Sequence, residues 1–167
     1  MERNHLDCSF QFICGEKLDS SLCRRMMWVY ADRFLVKNGF NFGPLRKPVA
    51  WALRAFLLRD RMTRWMNRQE GNFHAVMFVG ADVAAFLSGL VFKDKRLLIS
   101  RLNINTKYAW YGPGNLLVSA TMRHVIEQNR AGKMDIRELD LSQGGDDGMA
   151  YKRALGGKVH HTYVFCD

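Results

Sequence analysis

"NTKYAWYGPGNLLVSATMRHVI", residues Asn105 to Ile126, sets Gly112-Pro113-Gly114 between a stretch that reads as β and one that reads as helix. No Asp or Glu follows the turn until Glu127, so the helix opens without a carboxylate in its first two turns. Strand, Gly-rich turn and helix in that order is an arrangement that holds phosphates. The first amides of a helix have no internal partner, and the helix dipole adds partial positive charge there. Glycines would let a bulky anion approach the backbone, Pro113 would preorganise the turn, and Asn115 is an uncharged entry residue. Taken alone, the same residues also make an ordinary αβ turn. They lack the third glycine of the dinucleotide fingerprint and the Gly-Lys-Ser/Thr of a P-loop.

The chain around this turn changes period several times. "SFQFICG" alternates and reads as a strand. A helix follows, capped by Ser20 or Ser21 and running to Lys37, with Asn38-Gly39 as its stop. "FNFGPLRKP" is a loop, and Val49 to Asn67 is a second helix. "NFHAVMFVG" and "DVAAFLSGLVF" are strands joined around Gly80-Ala81-Asp82. "LLISRLNINT" is a third strand, in which Ile99, Arg101, Asn103 and Asn105 are expected on one face and Ser100, Leu102 and Ile104 on the other. After the glycine turn come a helix from Asn115 to Asn129, a strand "IRELDLS", a short helix from Asp147 to Leu155 capped by Asp146, and a last strand "KVHHTYVFC". The order β-α-α-β-β-β-α-β-α-β predicts one α/β (α+β) domain over residues 1–167. Its sheet is mixed and mostly antiparallel, with helices on both faces.

Composition supports a folded, basic protein. Of 167 residues, 48% are apolar and 12% aromatic, and the net charge is +9. Residues 1–72 carry +6 of that charge and the remainder +3. A basic surface favours an anionic partner: a phosphorylated cofactor, an acidic carrier protein, nucleic acid or a membrane surface. Lys47, Arg54, Arg61 and Arg68 recur every seventh residue, along one line of the second helix. That line is either a solvated face or a docking strip. The longest apolar run, Ala81 to Phe92, contains Asp82 and falls short of the ~18 residues that span a bilayer. The start "MERNHLDCSF" does not read as a secretory signal. Cys8, Cys14, Cys23 and Cys166 form no C-x-x-C pair, and adding His160 and His161 gives no zinc spacing, so no metal is expected. The thiols are expected to be reduced and mostly buried, in a cytoplasmic protein.

Together, element order and turn resemble the GNAT acyltransferase superfamily. There a fourth strand runs into a pyrophosphate loop, (Gln/Arg)-x-x-Gly-x-(Gly/Ala), and then a helix. Gly112-Pro113-Gly114 matches the glycine part, and Ala109 stands where Gln or Arg is usual. "DVAAFLSG", "YGPGNLL" and "ELDLSQGGDDGMAYKRALGG" resemble the CelD-like branch in particular, over roughly residues 73–157. The chain holds one such domain where that branch often has two in tandem, and one strand after Gly157 where the superfamily usually has two.

The resemblance implies an N-acyltransferase that moves an acetyl or longer acyl group from acyl-CoA to an amine acceptor by direct attack. Residues 1–72 would supply a strand and two acceptor-side helices, and residues 73–167 the coenzyme A core. Pantetheine would lie where the central strands splay, on backbone groups of Asn103, Ile104 and Asn105. In the turn Gly112-Pro113-Gly114 and the residues after it, the amides of Gly112, Gly114, Asn115 and Leu116 would hold the pyrophosphate. An N–H near Ile104 would stabilise the oxyanion. Tyr151 would protonate the leaving thiolate, its alternative being a core tyrosine. Asp140 and Lys152 match an Asp and a Lys of the branch, read first as an ion pair, with Asp140 as general base the alternative. His124, His160 and His161 read as surface or packing residues. Two other readings stay open: a non-catalytic module of this fold that binds an anionic partner, and a transferase that takes its acyl group from an acidic carrier protein. A second copy could complete the sheet.

Overall fold

Asp19 starts the first helix. Its Oδ2 accepts hydrogen bonds from the Ser21 and Leu22 amides at 2.8 and 2.9 Å, satisfying two donors that the helix itself cannot pair. The cap therefore sits one residue before Ser20 and Ser21, the caps expected from the sequence; a carboxylate is the stronger acceptor of the three and is placed to use it. The computed structural model describes residues 7–37, 39, 43–57, 71–141 and 156. Its elements are β1 (Cys8–Cys14), α1 (Ser20–Lys37), a 3-10 turn (Gly43–Leu45), α2 (Arg46–Leu57), β2 (Asn72–Val79), β3 (Asp82–Val91), β4 (Arg96–Ile104), a second 3-10 turn (Thr106–Tyr111), α3 (Pro113–Arg130) and β5 (Glu138–Asp140).

The five strands form one sheet in chain order. β1 to β4 make an antiparallel meander, and β5 joins β4 in parallel, as the long crossover through α3 requires. The sheet is thus mixed, mostly antiparallel and covered by helices on both faces. Phe73, Ala75, Met77, Leu87 and Leu97 turn toward Leu117, Val118 and Val125 of α3. Val76, Val83 and Phe86 turn the other way, toward Leu22, Met26, Met27 and Val29 of α1.

The expected faces of β4 need correcting. Ser88 pairs with Arg101, but the next residue, Gly89, pairs with Ile99, which leaves Ser100 as an extra residue. One inserted residue turns every later side chain over. Ile99 therefore shares the α3 core with Leu102 and Ile104, and parts from Arg101 and Asn103. Arg101 instead lies over the Tyr30 ring of α1, 5.4 Å from its centroid. Gly89 is what the bulge requires: a Cβ there would fall 2.3 Å from the Leu98 carbonyl oxygen.

α2 begins at Arg46, three residues earlier than the sequence suggests, with Pro48 in its first turn, where a missing N–H costs nothing. The expected continuation to Asn67, the helix at 147–155 and the strand at 158–166 lie outside the described residues. Of the three described cysteines, only Cys23 is buried; Cys8 is half-buried and Cys14 exposed, against the expectation of mostly buried thiols. Desolvation, then a neighbouring acid (Glu16 and Asp19 respectively), pushes the Cys14 and Cys23 thiols up. No helix among the described residues is long and apolar enough to cross a membrane.

Candidate functional site

Asn105 follows β4 and caps the turn after it. Its backbone N–H donates to Ala84 O at 2.8 Å and its Nδ2 to Val83 O at 3.1 Å, while its Oδ1 accepts from the Lys107 amide at 3.0 Å. One side chain thus ties the strand end to β3 and caps a 3-10 turn that the sequence did not announce. The turn closes at Gly112, whose N–H donates to Ala109 O at 3.2 Å and whose φ is +60°. A Cβ on Gly112 would meet nothing within 4 Å, so its backbone conformation is the reason for glycine. Gly114 has a different reason. A Cβ there would sit 3.2 Å from Ile104 Cγ2 and 3.6 Å from Leu102 Cδ2, so the first turn of α3 packs directly on the end of β4.

The amides at this corner can be accounted for one by one. Gly112 N–H is engaged in the turn, and Pro113 has none. The Asn115 and Leu116 amides both donate to Gly112 O, at 3.0 and 3.2 Å. Gly114 N–H has no acceptor among the described residues. Asn115 and Leu116 are exposed, and α3 carries no acid in its first turn. Trp110 and Tyr111 project beside the corner, 98% and 50% exposed.

Beyond Leu98, the outer edge of β4 has no strand partner among the described residues. β4 pairs with β5 only from Arg96 to Leu98, where Leu98 faces Asp140. Polar groups of a strand point alternately to its two edges. Asn105 N–H points to β3, so the N–H and C=O of Ile104 point to the other edge. Asn103 is buried and pairs with Phe86, which puts its side chain on the α1 face. Ile104, Gly112, Pro113, Gly114, Asn115 and Leu116 are therefore brought to one corner of the sheet, with Asn105 as the strut beneath it. Asp140 is not part of it. Asp140 lies six positions back along β4, ~20 Å at strand rise, and its Oδ2 is 3.6 Å from Arg96 Nη1. Tyr151, Lys152, His160, His161, Arg61 and Arg68 lie outside the described residues, as does the side chain of Arg54. His124 is a packing residue, stacked on Phe12 with centroids 4.0 Å apart, its pKa lowered by burial.

A second feature was invisible in the sequence. A cavity of about 970 Å3 opens on the α1 face, between α1, the start of α2, the β2–β3 turn and the residues after β4. Asp32 of α1 reaches the end of β4, where Thr106 Oγ1 donates to its Oδ2 at 2.6 Å. Asp82 accepts from Lys107 Nζ at 2.7 Å and from the Tyr108 hydroxyl at 2.6 Å. These bonds hold the Asp82 carboxyl below its ordinary range, and the Lys107 ammonium is pushed up to about 12. Asp32 and Thr106 are 74 residues apart, and no local pattern links them. No cluster of His, Cys, Asp or Glu that could hold a metal ion occurs among the described residues.

No family model and no curated protein matches the sequence. Solved structures do match the fold. One is an aminoglycoside acetyltransferase from an uncultured soil metagenomic sample, in complex with sisomicin: 15% identical, TM-score 0.58, over 96% of this chain and 97% of that one. A GCN5-related N-acetyltransferase from Ralstonia eutropha is 13% identical, TM-score 0.54, over 96% and 99%. A transcriptional regulator from Bacillus halodurans is 16% identical, TM-score 0.57, over 96% and 99%. The chain therefore has the fold of the GCN5-related acetyltransferases, the superfamily fold that its sequence resembles.

Proposed function

We propose that this protein is an N-acyltransferase that transfers an acetyl or longer acyl group from acyl-CoA to an amine. The observation that carries the reading is the corner itself: an acid-free helix start whose Gly114 amide has no acceptor among the described residues, beside a strand edge that has no partner among them, in a fold shared with acetyltransferases. An anion at the helix start would meet the Gly114 N–H and the positive end of α3, without an acidic neighbour. The donor supplies an activated thioester acyl group. The backbone of Ile104, pointing to the β4 edge away from β3, would receive the donor's amides and polarise its carbonyl. Tyr151 is proposed to return a proton to the departing sulfur, a role that rests on the sequence resemblance. Asp140 is assigned an anchoring role with Arg96, because its register is too far from Ile104 for both to act on one carbonyl. Membership of the CelD-like branch rests on the quoted segments alone. The carrier-protein alternative rests on a strip of which Lys47 is the one member described with its side chain.

Thermal unfolding with coenzyme A, acetyl-CoA and a long-chain acyl-CoA tests the reading. A ligand at ~100 times its Kd adds ~2.7 kcal/mol, a shift of a few degrees. Asn115→Glu puts a carboxylate in the first turn at an exposed position and should weaken the response ~10-fold in affinity. Gly114→Glu should abolish it, but mixes charge with the packing on Ile104. A full response in the Asn115→Glu protein would put the anion elsewhere. No response to any thioester in the unmodified protein would defeat the enzyme reading and favour the anion-binding module.

A further inference from the structure

Trp110 is the most exposed large apolar side chain among the described residues, at 98%. Its backbone is firmly held. The 3-10 turn that carries it is capped by Asn105, whose Oδ1 accepts from the Lys107 amide at 3.0 Å, and is closed by the Gly112 N–H on Ala109 O at 3.2 Å. Tyr108 is buried with the α3-side core, and its hydroxyl donates to Asp82 at 2.6 Å. The turn is thus bonded at both ends and in its middle, and none of these bonds uses the side chain at 110. An indole carries ~150–250 Å2 of surface that water receives poorly, and the fold gains nothing from holding it in solvent. Tyr111, the next residue, is exposed as well.

The glycine corner gives the placement a purpose. Trp110 is two residues before Gly112, at most ~7.6 Å of chain away. What the corner offers an anion is sparse. The Asn115 and Leu116 amides are engaged with Gly112 O, and Gly114 N–H is the amide without an acceptor among the described residues. Lys107, the nearest cation along the chain, is matched to Asp82 at 2.7 Å. A ligand held there needs a second hold. In a nucleotide a single ribose separates the phosphates from the base, so a ring standing beside the phosphate site is placed for the base. Every base has a π-face, and an exposed aromatic ring on a fixed backbone can stack on it with little further ordering.

Resting on the transfer reading above, we infer that Trp110, with Tyr111 beside it, is the platform on which the donor's nucleotide base stacks. The donor is then a free nucleotide thioester. Phosphopantetheine on a carrier protein has the arm and a phosphate but no base, and gains nothing from Trp110.

The test measures Kd by calorimetry, in the full chain, for coenzyme A and its two halves. Phosphopantetheine keeps the arm without the nucleoside, and adenosine 3′,5′-bisphosphate keeps the nucleoside without the arm. Trp110→Ala should weaken coenzyme A and the bisphosphate by the same factor, about tenfold, and leave phosphopantetheine unchanged. Trp110→Phe keeps a ring and should recover most of the affinity; Trp110→Leu, apolar without a ring, should not. The side chain is exposed, so all of these variants should unfold at the temperature of the unmodified protein, and lost affinity is not lost fold. Stacking should also quench tryptophan emission when the bisphosphate is added, and that drop should be missing in Trp110→Phe. Equal coenzyme A affinity in the Trp110→Ala and unmodified proteins overturns the inference and leaves the transferase standing. So does equal weakening of phosphopantetheine, which would make Trp110 a support of the corner. Self-association that depends on Trp110, with no effect on ligands, overturns it as well and assigns the side chain to a contact between copies. Trp110-dependent binding of the bisphosphate with no response to coenzyme A or its thioesters does the opposite: it keeps the base platform and removes the transferase. No binding of any probe removes both.

Discussion

The two faces of the sheet are built from the same strands and differ in kind. Toward α3, β2, β3 and β4 present Phe73, Ala75, Met77, Ala85, Leu87, Leu97 and Ile99, and every one is buried apolar. Toward α1 they present Val76 and Phe86, but also His74, Ser88, Arg101 and Asn103. His74 Nδ1 lies 2.9 Å from Ser88 Oγ, and both are buried. Burying polar groups is costly unless they are paired, so a polar row on a central sheet needs a reason that stability alone does not supply. The α3 face holds the sheet together and positions the start of α3. The α1 face carries the cavity.

The largest test of that contrast is on the apolar face. Phe73 is fully buried against α3, and Phe73→Ala should cost ~3–5 kcal/mol in urea unfolding, close to the whole stability of a marginal domain. A loss near 1 kcal/mol would mean that the α3 face does not dominate the fold. Gly89→Ala comes next. Its Cβ would be 2.3 Å from a backbone oxygen that cannot swing away, so the bulge at Ser100 must open or shift. We expect ~2–3 kcal/mol and no change in solvent-exposed area on unfolding. If the substitution is neutral, the bulge and the facing it imposes on Arg101 and Asn103 are wrong.

How much of this could be read beforehand follows from the same physics. β2 and β3 were legible because a fully buried strand gives an unbroken apolar run and Gly80 marks the turn. α3 was legible from its period and its glycine entry. The β4 bulge was not. "LLISRLNI" alternates smoothly, and the extra residue is declared only by the partner strand, where Gly89 was the one hint. The 3-10 turn at Thr106–Tyr111 depends on Asn105 bonds that reach Val83 and Ala84 on another strand. The glycine corner could be found because its chemistry is local. Asp32 could not, because its meaning arises only when α1 is folded over the end of β4. Asp140 shows the converse: its segment resembles a family motif, but the register opposite Leu98 puts it at the far end of the strand.

A smaller effect separates the roles of the two faces. Thr106→Val removes the hydroxyl that holds Asp32 and keeps the shape. It should cost ~1 kcal/mol of stability, the value of one hydrogen bond. The coenzyme A response should be unchanged, because the bond lies on the α1 face and the glycine corner on the α3 side. A weakened coenzyme A response would mean that the two faces are coupled through the end of β4.

The smallest expected effect concerns Asp82. Hydrogen bonds from Lys107 and then Tyr108 lower its pKa, so the folded state releases this proton more readily than the unfolded chain. Its contribution is present above the unfolded value, ~3.9, and is lost as pH falls through the lower folded value. Asp135 is lowered in the same sense by Lys95, so Asp82→Asn should flatten part of the acid limb of a stability profile rather than abolish it. The pair is largely solvated, and the stability change near neutral pH should be slight. An acid limb unchanged by Asp82→Asn would mean that the Lys107 and Tyr108 hydrogen bonds to this carboxylate add nothing to folding.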